Sequence, residues 1–504
     1  MNSVYQQLGE LQLNGWLGPD TYSTAWVALV PDRGNPNRPQ WPEALDYLRT
    51  HQLDDGGWGD PTIYYAHGRT IATMAAIWAL KTWSNGGEDN HRVARAAKAL
   101  NDYAKLLQTE PHDPIGFELL LPRIRVELQQ LNVPLPDSDW SHLDSKRQAK
   151  QALIKTFDPQ SQVTPRTWWF SMELLPESKL AELNDISLDR NGAIASSTAA
   201  TAAYLRARRR SGHESTRAAE YLRRLVTQGA GAAPVGWPFD VFEQVWALDS
   251  LMRADLDPKL SSVSAFTKRL NRSWHKADPG LAFGDDFPVN DGDDTLVGFS
   301  VLKWAGLAPK PAAVLTFWDG DHFTSYLDER STSVSVNIHG LAALRAHPSP
   351  DFLSLAGEVT RWLMEQRHPT TLFDDKWHLS PLYSVSHALP AFAGWDDAIA
   401  LDCLHFLLSN QHADGGWGWS GISTLEETAH CTLALYQAVK SNLLTNLSPL
   451  IRANEYFLSN AKNEAVEHLW IGKTLYRPQG IVEATILAAR LALSALPLAQ
   501  QQAA

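Results

Sequence analysis

Three carboxylates fall within four residues at Asp291-Gly292-Asp293-Asp294-Thr295, and an apolar helical run, 296–304, follows at once. Acids this close cannot all ionise in a partly desolvated cleft, so at least one holds its proton at neutral pH. A neutral carboxylic acid is a proton donor. The placement suits general-acid chemistry: Asp294 or Thr295 caps the helix ending near Gly306, its backbone N–H groups favour the ionised members, and Asp293 is left to carry the proton. The same pattern also suits an N-cap with two solvated acids, or a calcium loop. The rest of the chain has to decide.

The elements that must position these acids are helical. Gln52-Leu53-Asp54-Asp55-Gly56-Gly57-Trp58-Gly59-Asp60 returns as Gln411-His412-Ala413-Asp414-Gly415-Gly416-Trp417-Gly418. Apolar residues at three-to-four spacing precede each copy, over 41–51 and 400–410, and follow it, over 70–80 and 424–438. A weaker copy stands at Leu188-Asp189-Arg190-Asn191-Gly192 before 196–205, and the acid stretch precedes another such helix. Strand signals are confined to a short stretch, 331–336. The chain therefore reads as all-α, and repeated helix pairs over 504 residues predict two α–α barrels with apolar inner and amphipathic outer helices. Turn-rich segments at 229–238 and 255–260 mark the boundary between them.

Composition narrows the function. An apolar share of 44% provides for large cores, and a net charge of −12 disfavours nucleic acid as a partner. The basic run 206–210 ends a helical stretch, where cations complement the dipole. Cys403 and Cys431 lie in apolar periodic segments without metal or disulfide spacing, which suits a reducing cytoplasmic location. No signal peptide or membrane span is expected, because the apolar stretch 481–499 is broken by Glu483, Arg490 and Pro497. Aromatic rings are abundant, with 20 Trp, 13 Tyr and 16 Phe. They serve equally as ordinary core and as walls that attract a cationic intermediate.

With the acid stretch followed by helix and Gly-Gly-Trp-Gly turns on both sides, the chain resembles the class II terpene cyclases of the bacterial diterpene type. Tyr22-Ser23-Thr24-Ala25-Trp26-Val27-Ala28, Ile115-Gly116-Phe117-Glu118, Phe242-Glu243-Gln244-Val245-Trp246, Asp375-Lys376-Trp377-His378, Glu426-Glu427-Thr428-Ala429 and Leu469-Trp470-Ile471-Gly472-Lys473 stand in family order. The likeness extends from about Thr21 to Glu483. It departs at Ser23, where the family has Asp, and at the thin acidic segment 110–113, which leaves the metal site open.

The resemblance implies a βγ didomain: residues 1–25 as the N-terminal segment of β, 26–255 as γ, 256–504 as the β barrel with the acids, and the active site between the barrels. It implies that Asp293 protonates the terminal double bond of a linear prenyl diphosphate, geranylgeranyl diphosphate, while Asp291 and Asp294 hold its geometry and acidity. Trp304, Trp377 and Tyr383 are candidate wall residues, each equally suited to core packing. Lys150, Lys376 and Lys473 are candidates for the diphosphate, with Mg2+ on Glu110 and Asp113. Any of these lysines would also suit an ordinary surface charge. No Asp-Asp-x-x-Asp run is present to ionise the diphosphate, so it should survive into the product, for a downstream class I terpene synthase to use.

Other readings share parts of this pattern. They are a farnesyl diphosphate (drimenyl-type) cyclase, a squalene- or hopene-type cyclase, and a non-catalytic prenyl-binding barrel. The squalene type has longer chains, more such turns and an apolar insertion helix; a binding barrel does not need three acids at one helix start. The product turns on a base. Relatives making unrearranged copalyl diphosphate resemble one another in a His and an Asn that hold a water; here alignment puts Phe170 and Ala230 at those positions. Neither can activate water, which favours a rearranged halimadienyl or clerodane (kolavenyl) skeleton over copalyl diphosphate.

Overall fold

The computed structural model describes residues 8–84, 86–136, 143–154, 167–276, 280–287, 289–327, 329 and 331–497. Helices dominate these residues and form two rings. In the first, α1 (Thr21–Ala28), α3 (Ala66–Trp83), α5 (Phe117–Gln130), a 3₁₀ segment (Thr167–Leu174) and α8 (Thr198–Arg210) pack neighbour to neighbour, and α8 returns to α1. Outside lie α2 (Pro42–Thr50), α4 (Gly87–Ala104), α6 (Asp144–Ile154), α7 (Glu177–Glu182) and α9 (Thr216–Gln228).

In the second ring the inner helices are α10 (Asp240–Arg253), α12 (Gly292–Trp304), α14 (Val334–Ala346), α16 (Pro381–Phe392), α18 (Leu425–Lys440) and α20 (Gln479–Ser494), and α20 closes onto α10. The outer layer is α11 (Ser261–Lys276), α13 (Ala312–Leu315), α15 (Pro350–Glu365), α17 (Asp397–Ser409) and α19 (Ser448–Ser459). Among the described residues no helix is long and apolar enough to cross a membrane.

Sequence pattern explains the layering. Every residue of α3 from 66 to 80 is buried, because an inner helix touches protein on all sides. By contrast α9 buries Ala218, Tyr221, Leu222, Leu225 and Val226, a single stripe at three-to-four spacing. Cys403 and Cys431 are unpaired and buried in such packing. The basic run at the end of α8 is held by acids rather than left as a patch: Arg206 and Arg210 pair with Glu177, and Arg209 with Glu214.

The glycine-rich turns repeat down to single hydrogen bonds. Trp58 Nε1 donates to Leu48 O at 2.8 Å and Trp417 Nε1 to Leu407 O at 2.7 Å. The backbone N–H of each Trp donates to a threonine on the next inner helix, Thr73 or Thr428, both at 2.9 Å. Ile194 N to Thr201 and Leu281 N to Thr295 repeat this bond at 2.9 Å. Thr295 therefore belongs to a device that anchors an inner helix to the turn before it, and the acid stretch is one copy of that device.

Three expectations are corrected here. The stretch 331–336 is not a strand; Ser333 caps α14 through Val336 N, and its Ser/Val alternation reflects a cap followed by a buried face. The helix after the acids is capped by Asp291, one turn earlier than expected. The expected boundary at 255/256 also moves: α10 packs in the second core, which takes up side chains from Val235 onward, while Leu8 and Leu17 join that core and Tyr22 joins the first. Burial, rather than turn composition, sets these limits.

A hairpin, β1 (Trp470–Ile471) paired with β2 (Leu475–Tyr476), ties the barrels together. Leu469, Ile471 and Leu475 pack with Ile63 and Tyr65 of the first barrel. Gly472 O accepts from Ile115 N at 2.8 Å, and Thr474 Oγ1 donates to Asp20 at 2.5 Å.

Candidate active site

The acids sit at the N-terminus of α12, where the backbone leaves no room. A Cβ on Gly292 would lie 2.2 Å from Thr324 O, so only glycine lets the 317–325 segment close over the helix start. Asp291 accepts from Asp294 N at 2.9 Å, and its backbone N–H donates to Leu281 O at 2.7 Å. Asp294 accepts from Trp246 Nε1 at 3.2 Å, while its Oδ2 is buried without a hydrogen-bond partner. Both side chains are sealed, with Asp291 at 3% and Asp294 at 1% exposure. Asp293 differs: its side chain is 13% exposed.

Burial decides the charges. It pushes the Asp291 carboxyl up to about 7, helped by the neighbouring Asp293 charge and opposed by the Asp294 N–H and the Tyr326 hydroxyl. Asp294 is raised well above the ordinary carboxylate range by burial, then by Asp291 and Asp293. Burial thus works against the expectation that these two are the ionised members drawn to the helix N-terminus, because desolvation outweighs the N–H groups. In their protonated forms these neighbours add no negative charge to hold a proton on Asp293.

On its other side Asp293 meets a line of groups absent from the sequence reading. His339 Nδ1 lies 2.6 Å from Asp293 Oδ1, His339 Nε2 is 3.0 Å from His387 Nδ1, and Arg253 Nη1 is 2.9 Å from His387 Nε2. These residues come from α14, α16 and the C-terminal end of α10. Their signal in the sequence is slight: His339 is the one histidine of α14 and His387 the one histidine of α16, each among several other polar residues.

Aromatic rings flank the acids. Tyr326, bonded to Asp291, lies edge-on to Phe283 at 6.4 Å, and Phe283 stands 5.0 Å from both Phe239 and Phe287. Phe170 joins this group at 6.1 Å from Phe239 and 6.4 Å from Phe287. Although it belongs to the first barrel's 3₁₀ segment, Phe170 buries its ring in the second core, with the Lys473 ammonium 4.5 Å from the ring centre. Trp377 donates to Ser325 Oγ at 3.3 Å, and Ser325 O in turn accepts from Gly292 N at 2.7 Å, so this ring stands beside the helix start. Tyr383 is buried between His378, 4.4 Å away and stacked, and Trp246 at 6.3 Å.

Other expectations fail on position. Trp304 ends α12, eleven residues beyond Asp293, which is roughly 16 Å along a helix. It packs at the far end of the barrel and is not a wall beside the acid. Ala230 is exposed in the turn after α9 and cannot share a water with buried Phe170. Lys473 is not a cation at a cavity mouth: it has 0% exposure and pairs with Glu173 at 2.6 Å, the acid that Tyr22 also bonds. Lys150 reaches Glu118 at 2.6 Å, and Lys376 pairs with Glu329 and bonds Ser331 while lying over the Trp377 ring. Both keep some exposure.

Glu110 and Asp113 do not fit Mg2+. Glu110 accepts from Ala66 N at 2.5 Å and from His67 N at 3.0 Å, and it lies 2.6 Å from His67 Nδ1, so it caps α3 and holds a buried histidine. Asp113 faces His67 Nε2 at 3.3 Å and pairs with Lys146. A hard cation needs oxygens free of donors, and these carboxylates are surrounded by them. His67 is raised by its bonds to Asp113 and Glu110 in spite of burial, as expected of an imidazole held between two acids.

No family model matches the chain. The sequence is 29% identical to a type B diterpene cyclase of Mycobacterium tuberculosis, over 97% of this chain and 98% of that protein. It is 28% identical to a (+)-kolavenyl diphosphate synthase of Herpetosiphon aurantiacus, over 98% of this chain and 97% of that one. Among solved structures, the ent-copalyl diphosphate synthase from Streptomyces platensis matches with a TM-score of 0.79 at 25% identity, covering 98% of this chain and 99% of that one.

Proposed function

The chain belongs to the class II diterpene cyclases, which are isomerases, and within that family we propose that it folds geranylgeranyl diphosphate into a bicyclic diphosphate with Asp293 as the acid. One observation carries the assignment to Asp293. It alone of the three is partly exposed, while its neighbours are sealed and raised above the ordinary carboxylate range, so it is the one placed to touch substrate.

The proton on Asp293 passes to the terminal alkene, a new C–H bond forms, and the π electrons of successive double bonds close two rings. The cation then loses a proton from carbon, which passes to solvent, Asp293 takes one back from solvent, and the sum is an isomerisation with the diphosphate intact. The rings around Phe239, Phe283, Phe287 and Tyr326 offer faces to the migrating charge. Lys150 and Lys376, both partly exposed, take the diphosphate by exchanging their acid partners for it. Mg2+ enters with the substrate, as the counter-ion of its diphosphate.

We further propose a rearranged product, kolavenyl (clerodane) or halimadienyl diphosphate, over copalyl diphosphate. Phe170 packs against Phe239 and Phe287 with the Lys473 ammonium over its ring, and it offers no base to the first bicyclic cation, so hydride or methyl shifts can proceed. A kolavenyl diphosphate synthase among the full-length relatives supports this. The test is incubation with geranylgeranyl diphosphate, farnesyl diphosphate and squalene in parallel, then phosphatase treatment and mass spectrometry. A cyclic twenty-carbon alcohol that appears only after phosphatase is expected. Turnover of squalene alone, or pyrophosphate release, overturns the reading; copalyl diphosphate as main wild-type product overturns the proposal for Phe170, whose Phe170→His variant should move product toward the unrearranged skeleton.

A further inference from the structure

The line from Asp293 to Arg253 has a direction. A guanidinium has N–H groups and no acceptor, and it stays charged at any working pH. Arg253 therefore donates to His387 Nε2 at 2.9 Å, and that nitrogen carries no hydrogen. His387 must then be protonated on Nδ1, which donates to His339 Nε2 at 3.0 Å. By the same step His339 carries its hydrogen on Nδ1 and donates to Asp293 Oδ1 at 2.6 Å. An imidazolium at His339 would set two N–H groups against each other at one end of His387 or the other.

We propose that Arg253 and His387 are positioning residues for the acid: they fix both imidazoles as the neutral Nδ1–H tautomer, so that His339 donates to Oδ1 of Asp293 and the reactive proton is confined to Oδ2. When that proton leaves, the new carboxylate already has a donor aligned on it, backed by a row of dipoles ending in a fixed positive charge. The acid is strengthened without a charged histidine. Arg253 is held for this by a second bond, Nη2 to Ser386 O at 2.7 Å, and it has Asp249 at 4.0 Å as its counter-charge. Burial and then the Arg253 charge push His387 well below the ordinary imidazole range. The titratable and charged groups facing this line are Asp249 and Arg253 from α10, Asp293 from α12, Tyr383 from α16, His430 and Cys431 from α18 and His378 before α16. Of these, Asp293 and Arg253 bond the imidazoles directly.

This inference rests on Asp293 being the acid, and its test separates the two. Nitrogen-15 spectra of histidine-labelled full-length protein, from pH 6 to 8, should show His339 and His387 neutral and protonated on Nδ1 throughout. That measurement needs no turnover, so it stands even where cyclisation fails. In Arg253→Met, His387 is free to turn, His339 gains a proton as pH falls, and kcat on geranylgeranyl diphosphate should drop about tenfold or more at unchanged KM, with a new acid-side limb in its pH profile. An imidazolium or an Nε2–H tautomer at His339 in the wild type overturns the proposal. So does a folded Arg253→Met protein whose kcat–pH profile overlays the wild type. If the methionine variant does not fold, the wild-type spectrum decides.

Discussion

At the scale of single residues, one carboxyl is singled out by its partial exposure and burial raises the other two above the ordinary carboxylate range. Asp293→Asn should lower cyclisation by about two to four orders of magnitude, the range a positioned general acid supplies, while leaving the unfolding midpoint unchanged. More than a few per cent of wild-type activity in folded Asp293→Asn would remove it as the acid. The pH dependence follows from Asp291, whose carboxyl is pushed up to about 7. As pH rises through that value Asp291 ionises, its charge holds the Asp293 proton more tightly, and kcat should fall. Asn caps a helix as well as Asp does, so Asp291→Asn keeps α12 started while removing the charge. Its alkaline limb should move to higher pH; an unmoved limb would assign the fall to another group. The triad was legible in the sequence because three acids in four residues cannot be ordinary packing. His339, His387 and Arg253 were not, because each is one polar residue among several in its helix and acquires meaning only through partners 46 or more positions away.

At the scale of elements, a buried glutamate docks the N-terminal segment on the second barrel. Glu243 accepts from Gly15 N at 2.6 Å and from Gly480 N at 3.1 Å, joining 11–18 to the starts of α10 and α20. Gly15 has φ +78 and a Cβ there would lie 2.2 Å from Phe239 N, so no other residue allows this approach. Burial pushes the Glu243 carboxyl up from 4.5 to about 8, against the pull of the two N–H groups. The sign is that of an acid raised on folding: its contribution to stability is complete below about pH 4.5 and is lost as pH rises toward about 8. Wild-type protein should therefore lose unfolding midpoint between pH 5 and 8 relative to Glu243→Gln; parallel melting curves for the two across that window would refute this. The turn repeats were legible at this scale because Gly-Gly-Trp-Gly fixes both a left-handed turn and a buried indole, whereas the cap of α12 was misplaced by one turn, since Asp, Asp and Thr all cap well.

At the scale of the molecule, two closed rings meet at a hairpin whose lysine is sealed inside. Lys473 and Glu173 are both fully buried and lie 2.6 Å apart, one from each barrel. Removing one partner strands a charge. Lys473→Met should cost about 3 to 5 kcal/mol in denaturant unfolding, and adding Glu173→Leu should recover most of it, because a buried pair is replaceable by apolar packing although half of one is not. A double variant as unstable as the single would mean that the pair does more than cancel its own desolvation.

The sequence by itself determined the helical class, the pairing of helices around glycine-rich turns, the acid stretch and the family it resembles. These are local: a period of 3.6, a turn that only glycine makes and a density of carboxylates are all written within a few residues. Tertiary structure alone decided which side chains meet at the acids. It removed Lys473, Trp304 and Ala230 from the site, gave Glu110 and Asp113 to a histidine, moved α10 to the second barrel and brought His339, His387 and Arg253 to the acid. The physical reason is that burial and charge pairing are set by closure of a ring. A lysine or a tryptophan reads the same in sequence whether the element carrying it faces water, the core or the substrate.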